Sequence, residues 1–116
     1  MTRTLTLTVA ALGLMAAGTA PACDAPAGVS DIPNGKTATR EEMVAAQKAV
    51  VAYDAAVKTY SACLQDEQKA KVAAGGDRAK LDMEYSKLQN DEVSKLEKAA
   101  SKFNSELREF KARNAG

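Results

Sequence analysis

The stretch TREEMVAAQKAVVAYDAAVKTYSACL, residues 39–64, decides the fold of this chain. Its apolar residues recur at alternating steps of three and four, which places them on one stripe of an α-helix. These residues are Met43, Ala46, Val50, Tyr53, Val57, Tyr60 and Leu64. Thr39 and Glu42 have the spacing of a capping box, in which each side chain accepts a hydrogen bond from the other residue's backbone amide. The stretch therefore predicts an amphipathic helix that begins at residue 40 and buries one face.

A second helix is predicted beyond a short turn. The stripe of the first helix fades after Leu64, and Gly75 and Gly76 interrupt the helical pattern. Asp77 follows them as a candidate N-cap, and no proline occurs after Pro33 to break a long helix. We predict an all-α fold with helices over residues 40–72 and 78–113, joined into an antiparallel hairpin.

The apolar residues of the second helix fall into two segments. The first segment is Leu81, Tyr85 and Leu88, and the second is Leu96, Ala100, Phe103, Leu107 and Phe110. The step from Leu88 to Leu96 is one residue longer than a heptad, and Val93 is displaced to the side. The pattern predicts a change of phase here, which disfavours a regular coiled coil along the whole helix.

A lone helical hairpin buries little surface, so its apolar stripes favour a further contact. The arm before the first helix is one candidate for this contact, and a second hairpin that completes a four-helix bundle is another. The second apolar segment of the second helix is the candidate interaction face, either for a protein partner or for self-association. The face consists of the four large residues of this segment, namely Leu96, Phe103, Leu107 and Phe110.

Residues 1–22 have the pattern of a secretory signal peptide. Arg3 supplies a positive start, residues 5–17 form an apolar run, and small residues precede a cleavage point before Cys23. The run is shorter than the roughly 20 residues that a membrane span requires. We therefore expect a periplasmic or secreted protein with no membrane span, organised as a signal peptide, an irregular Pro- and Gly-rich arm over residues 23–38, and the helical hairpin over residues 39–116.

Both cysteines remain after the predicted cleavage and would meet an oxidising compartment. Residues 23–39 reach up to about 53 Å when extended, whereas the helix from residue 39 to residue 63 is about 36 Å long. The arm can therefore fold back, and we predict a Cys23–Cys63 disulfide that attaches it to the first helix. The alternative is a lipid anchor on Cys23, as in bacterial lipoproteins, although Ala20 and Pro21 suit a lipoprotein signal poorly.

Composition disfavours several classes of function. The chain has no His, 16 Lys and Arg residues and 15 Asp and Glu residues. Only Arg3 of the basic residues lies before the predicted cleavage, so the exported chain is formally neutral, which disfavours nucleic acid as a partner. Without His, the commonest general base and metal ligand is missing. We predict a protein that is not an enzyme and has no cofactor, no metal site and no catalytic residues.

One sequence pattern resembles a known group of proteins. Residues 23–64 follow the pattern C…IPNGxxATxxEMxxA…YxxCL, which is similar to that of small, uncharacterised exported proteins of proteobacteria. The resemblance implies an exported protein and no particular activity. The expected function is protein–protein contact by a non-enzymatic helical protein. The alternatives are a lipoprotein anchored at Cys23 and a holdase-like chaperone that resembles the hairpin arms of periplasmic chaperones.

Overall fold

The computed structural model describes residues 22–115, so the predicted signal peptide lies outside the described residues except for Ala22. Two helices, α1 (Arg40–Ala73) and α2 (Arg78–Asn114), pack against each other as an antiparallel hairpin. The described residues contain no β-strand. The predicted all-α hairpin is therefore confirmed, and each helix ends one residue later than predicted.

Side chains cap the start of both helices. Thr39 Oγ1 accepts a hydrogen bond from the Glu42 amide at 3.1 Å, and Glu42 Oε2 accepts one from the Thr39 amide at 2.7 Å. Asp77 Oδ1 accepts from the Lys80 amide at 3.1 Å at the start of α2. These bonds satisfy amides that have no partner within a helix, so the start of each helix is encoded locally.

The glycine pair forms the turn between the helices. Gly75 has a φ of 92°, a conformation that side chains with a Cβ rarely adopt. The amides of Gly75 and Gly76 donate to the carbonyls of Val72 and Lys71 at 3.0 Å each. This is the Schellman arrangement, which ends α1 and reverses the chain.

The apolar stripe of α1 faces α2, as its spacing predicts. Six of its seven positions are buried, namely Met43, Ala46, Tyr53, Val57, Tyr60 and Leu64, and Val50 is half-buried. A continuous stripe of this kind fixes which face of α1 meets α2.

The predicted change of phase in α2 is wrong. Leu88 and Val93 are each 39% exposed, whereas Gln89 is half-buried and Glu92 is only 3% exposed. The residues that face α1 therefore keep steps of four and three without a break, at positions 85, 89, 92, 96, 99 and 103. These positions form the seam that packs on α1. Two of them are polar, so the apolar residues alone predicted the wrong path of the seam along α2.

The core consists of two apolar clusters along the hairpin. One cluster contains Ala38, Met43, Ala46 and Phe103, with Ile32, Val50, Leu107 and Phe110 packed on it. The other contains Tyr60, Leu64 and Tyr85, with Cys23 and Leu81 packed on it. Tyr53 and Glu92 form a buried polar contact that lies between them along both helices.

The arm, residues 23–38, runs back along one side of α1. A disulfide joins Cys23 to Cys63, with the two Cα atoms 5.8 Å apart, so the predicted pairing is confirmed. Residues 26–33 then lie beside small α1 side chains, namely Ala45, Ala49, Ala52 and Ala56. Small residues on this side of α1 let the arm approach the helix closely.

A turn at Asn34 and Gly35 attaches the other end of the arm to α2. The Gly35 amide donates to Glu106 Oε2 at 2.7 Å. Arg113 donates to the carbonyl of Lys36 at 2.7 Å and to that of Ala38. Two backbone carbonyls and one amide of the turn thus bond to charged side chains of α2, which makes these hydrogen bonds stronger than neutral ones.

Replacing Gly35 by Ala should destabilise the protein, because an added Cβ would lie 1.9 Å from the backbone oxygen of Glu106. We expect the Gly35→Ala variant to lose about 2–3 kcal/mol of free energy of unfolding in urea denaturation, the upper range for overpacking. Gly28→Ala is the matched control, since its Cβ would meet only the Tyr53 hydroxyl at 4.0 Å. Equal stability of the two variants would show that the turn does not dock on α2 as described.

Candidate functional site

The candidate interaction face on α2 lies largely inside the hairpin. Phe103 is 7% exposed and contacts the cluster around Met43. Leu107 and Phe110 are half-buried and pack on the same cluster, and Leu96 is half-buried in the seam. The structure therefore brings these four residues together, but it uses most of their apolar surface to hold α2 against α1 and the arm.

The exposed apolar surface lies elsewhere, on the side of the hairpin opposite the arm. The described residues have five exposed large hydrophobic side chains, and four of them fall on this side. We call this surface the open flank, and its residues are Val44, Val51, Met83 and Val93. Half-buried Ala100 and Leu107 continue it along α2.

Helix geometry explains why these side chains share one side. The arm lies beside Ala49 and Ala56, which follow one edge of the α1 stripe. Val44 and Val51 are one heptad apart and lie past the other edge, because each residue turns the helix by about 100°. In α2, the arm-side row contains Lys95 and the opposite row contains Val93 and Leu107. One flank of the hairpin is thus covered and the other is not.

The covered flank contains a groove between the arm and α2. We call it the arm groove, and its volume is about 340 Å³. Tyr53 and Ala99 lie at its base, and Val29 and Ile32 of the arm form one wall. The other wall is a row of lysines on α2, namely Lys95, Lys98 and Lys102.

A buried carboxylate lies below this groove. The Tyr53 hydroxyl donates to Glu92 Oε1 at 2.6 Å, and Lys95 Nζ is 3.5 Å from Glu92 Oε2. Burial of Tyr53, followed by its hydrogen bond to Glu92 and by the charge of Glu92, raises the pKa of Tyr53 to about 12. A tyrosine with so high a pKa stays protonated near neutral pH, so it acts here as a hydrogen-bond donor and holds the carboxylate in place.

Reasoning from the sequence missed both the open flank and the buried Tyr53–Glu92 contact. The Asp91-Glu92 pair reads as a solvated charge run, and Glu is rarely fully buried. Only the regular heptad step from Tyr85 to Glu92 and on to Ala99 would have placed Glu92 in the seam.

The predicted disulfide and the alternative lipid anchor both require the sulfur atom of Cys23. In the structure this atom is bonded to Cys63, so it is not free to form the thioether of a lipoprotein. Neither described helix has an apolar run of the length and composition needed to cross a membrane. Within residues 22–115, no three His, Cys, Asp or Glu side chains form a group suited to a metal ion.

Comparisons with known proteins found no counterpart for this chain. No family model matches it, and neither a curated protein nor a solved structure is similar to it at the significance required.

The Tyr53–Glu92 contact should make stability depend on alkaline pH. The pKa of Tyr53 rises from 10 in the unfolded chain to about 12 in the folded protein. The contribution of Tyr53 to the free energy of unfolding is therefore complete below pH 10 and is lost as the pH rises through 12. The loss is about 2–3 kcal/mol. In urea denaturation, we expect Tyr53→Phe to be less stable than the wild type at pH 9, because Glu92 loses its donor, and this difference should shrink towards pH 12.

Phe103→Leu is the control for this pH series. It weakens the core without changing a titratable group, so its difference from the wild type should be the same at every pH. A constant difference for Tyr53→Phe as well would contradict the raised pKa of Tyr53.

Proposed function

We propose that this protein is a non-enzymatic, exported helical protein that acts through contacts with another protein in the periplasm or outside the cell. The open flank is the observation that carries this proposal. Val51 is 62% exposed on it, and Val44, Met83 and Val93 lie on the same side. Exposed apolar side chains gathered on one side of a small protein are typical of an interaction surface, whereas scattered ones are not.

Export is supported by two independent features. The sequence of residues 1–22 has the order of segments found in secretory signals. The Cys23–Cys63 disulfide suits an oxidising compartment, since structural disulfides are rare where thiols are kept reduced. Both features favour a role outside the cytoplasm.

The shape of the open flank favours a helical segment of a partner protein. Val44 and Val51 of α1 lie one heptad apart and Val93 of α2 lies on the same side, and an amphipathic helix can lay its apolar face along such a row of exposed side chains. The exposed valines offer on the order of a few hundred Å², whereas a stable dimer buries about 800 Å² per partner. The proposed contact is thus a transient one with a different protein.

Site-specific crosslinking in the native host tests this proposal. A photo-crosslinking amino acid in place of Val51 should capture one protein, and the same amino acid in place of Ser105 should not. Ser105 is also exposed but lies one heptad after Lys98, on the arm side of α2. The captured protein is then identified, purified and titrated with this protein by calorimetry.

The dissociation constant between the captured protein and each variant shows whether the open flank is the contact surface. Val51→Glu combined with Val93→Glu should weaken binding by at least about tenfold, because the variant places two charges in an apolar contact, whereas Ser105→Glu should leave it unchanged. Capture of a second copy alone, with a dimer in sedimentation equilibrium, would contradict a heterologous partner. Equal binding by both variants would contradict the open flank as the contact surface.

A further inference from the structure

The arm groove has an unusual distribution of charge. Lys95, Lys98 and Lys102 follow each other at steps of three and four, so they share one face of α2. Like charges at this spacing repel each other and weaken a helix. On protein surfaces, nearby carboxylates usually relieve such repulsion.

Only one of the three lysines has a carboxylate partner among the described residues. Lys95 pairs with Glu92 at 3.5 Å, and neither Lys98 nor Lys102 is within 4.0 Å of an acidic side chain. Asp31 lies on the side of the arm that faces α1 and does not line the arm groove. Two ammonium groups at the edge of the arm groove therefore have no ion-pair partner within 4.0 Å among the described residues.

The base of the groove is apolar next to these two lysines. Val29 and Ile32 of the arm are half-buried and face Ala99 of α2 across the groove. Glu92 lies at the Lys95 end, where its negative charge disfavours a second anion. An anionic group is therefore favoured at the Lys98–Lys102 end, with an apolar surface beside it.

We propose that the arm groove binds a small amphiphile that has a single anionic headgroup, a carboxylate or a phosphate. The headgroup contacts Lys98 and Lys102, and the apolar chain lies on Val29, Ile32 and Ala99. The volume of about 340 Å³ is at the lower end of the range of small-molecule sites, which is about 300–1,000 Å³. A ligand with one short chain fits this space better than a bilayer lipid with two.

An NMR titration with dodecanoate tests this inference. The oxidised, isotope-labelled protein is titrated below the micelle concentration, and saturable shifts are expected at the amides of residues 28–32 and 95–102. Acetate has the headgroup alone and octyl glucoside has an uncharged headgroup, so each should bind at least about tenfold more weakly.

Two variants separate the charged and apolar parts of the site. Lys98→Gln combined with Lys102→Gln should weaken dodecanoate binding by about tenfold. Lys48→Gln combined with Lys111→Gln removes two exposed charges elsewhere and should leave binding unchanged. Ala99→Leu fills the base of the groove and should abolish the shifts, while circular dichroism shows that the helices remain.

Several results would overturn the proposal. One is equal affinity for octyl glucoside, and another is equal affinity of the Lys98/Lys102 and Lys48/Lys111 variants. Shifts that map to the open flank, around Val51, would also overturn it. Binding to vesicles that contain an anionic phospholipid, without saturable binding of dodecanoate, would assign the headgroup contact to a membrane surface and exclude a free ligand.

Discussion

The attachment of the arm at both ends is the constraint on which the rest of the structure depends. Two helices bury their apolar stripes against each other, but they leave both flanks of their contact open to solvent. Here the arm covers one of these flanks. The Cys23–Cys63 disulfide fixes one end to α1, and the Gly35 turn fixes the other to α2 through Glu106 and Arg113. The arm thereby connects both helices and forms one wall of the arm groove.

The sequence predicts most of the fold because its decisive signals are local. The capping box at Thr39, the glycine pair at the turn and the heptad spacing of α1 each specify their structure within a few residues. The path of the seam along α2 is harder to predict, because Glu92 occupies a position that its charge disfavours. Its burial depends on Tyr53, which is distant in sequence and donates the compensating hydrogen bond.

The candidate site was predicted less well for a related reason. Apolar spacing identifies the residues that can be buried, but it does not say what buries them. Phe103 and its neighbours are covered by α1 and the arm, and this depends on the side to which the arm folds. The proposed contact surface consists instead of single valines outside the stripes, such as Val51. The pairing of Lys98 and Lys102 with apolar residues could not be predicted either, because it depends on where the arm places Val29 and Ile32.

Hydrogen exchange before and after reduction tests most directly whether the arm holds the hairpin together. The disulfide closes a loop with a sequence separation of 40 residues, and opening a loop of this size costs up to about 4 kcal/mol in the chain-entropy model. We expect reduction to lower amide protection in both α1 and α2 by at least about tenfold, and to have no effect on a variant in which Cys23 and Cys63 are both Ala. Unchanged protection of both helices after reduction, with exchange increased only in residues 23–38, would contradict the central role of the arm.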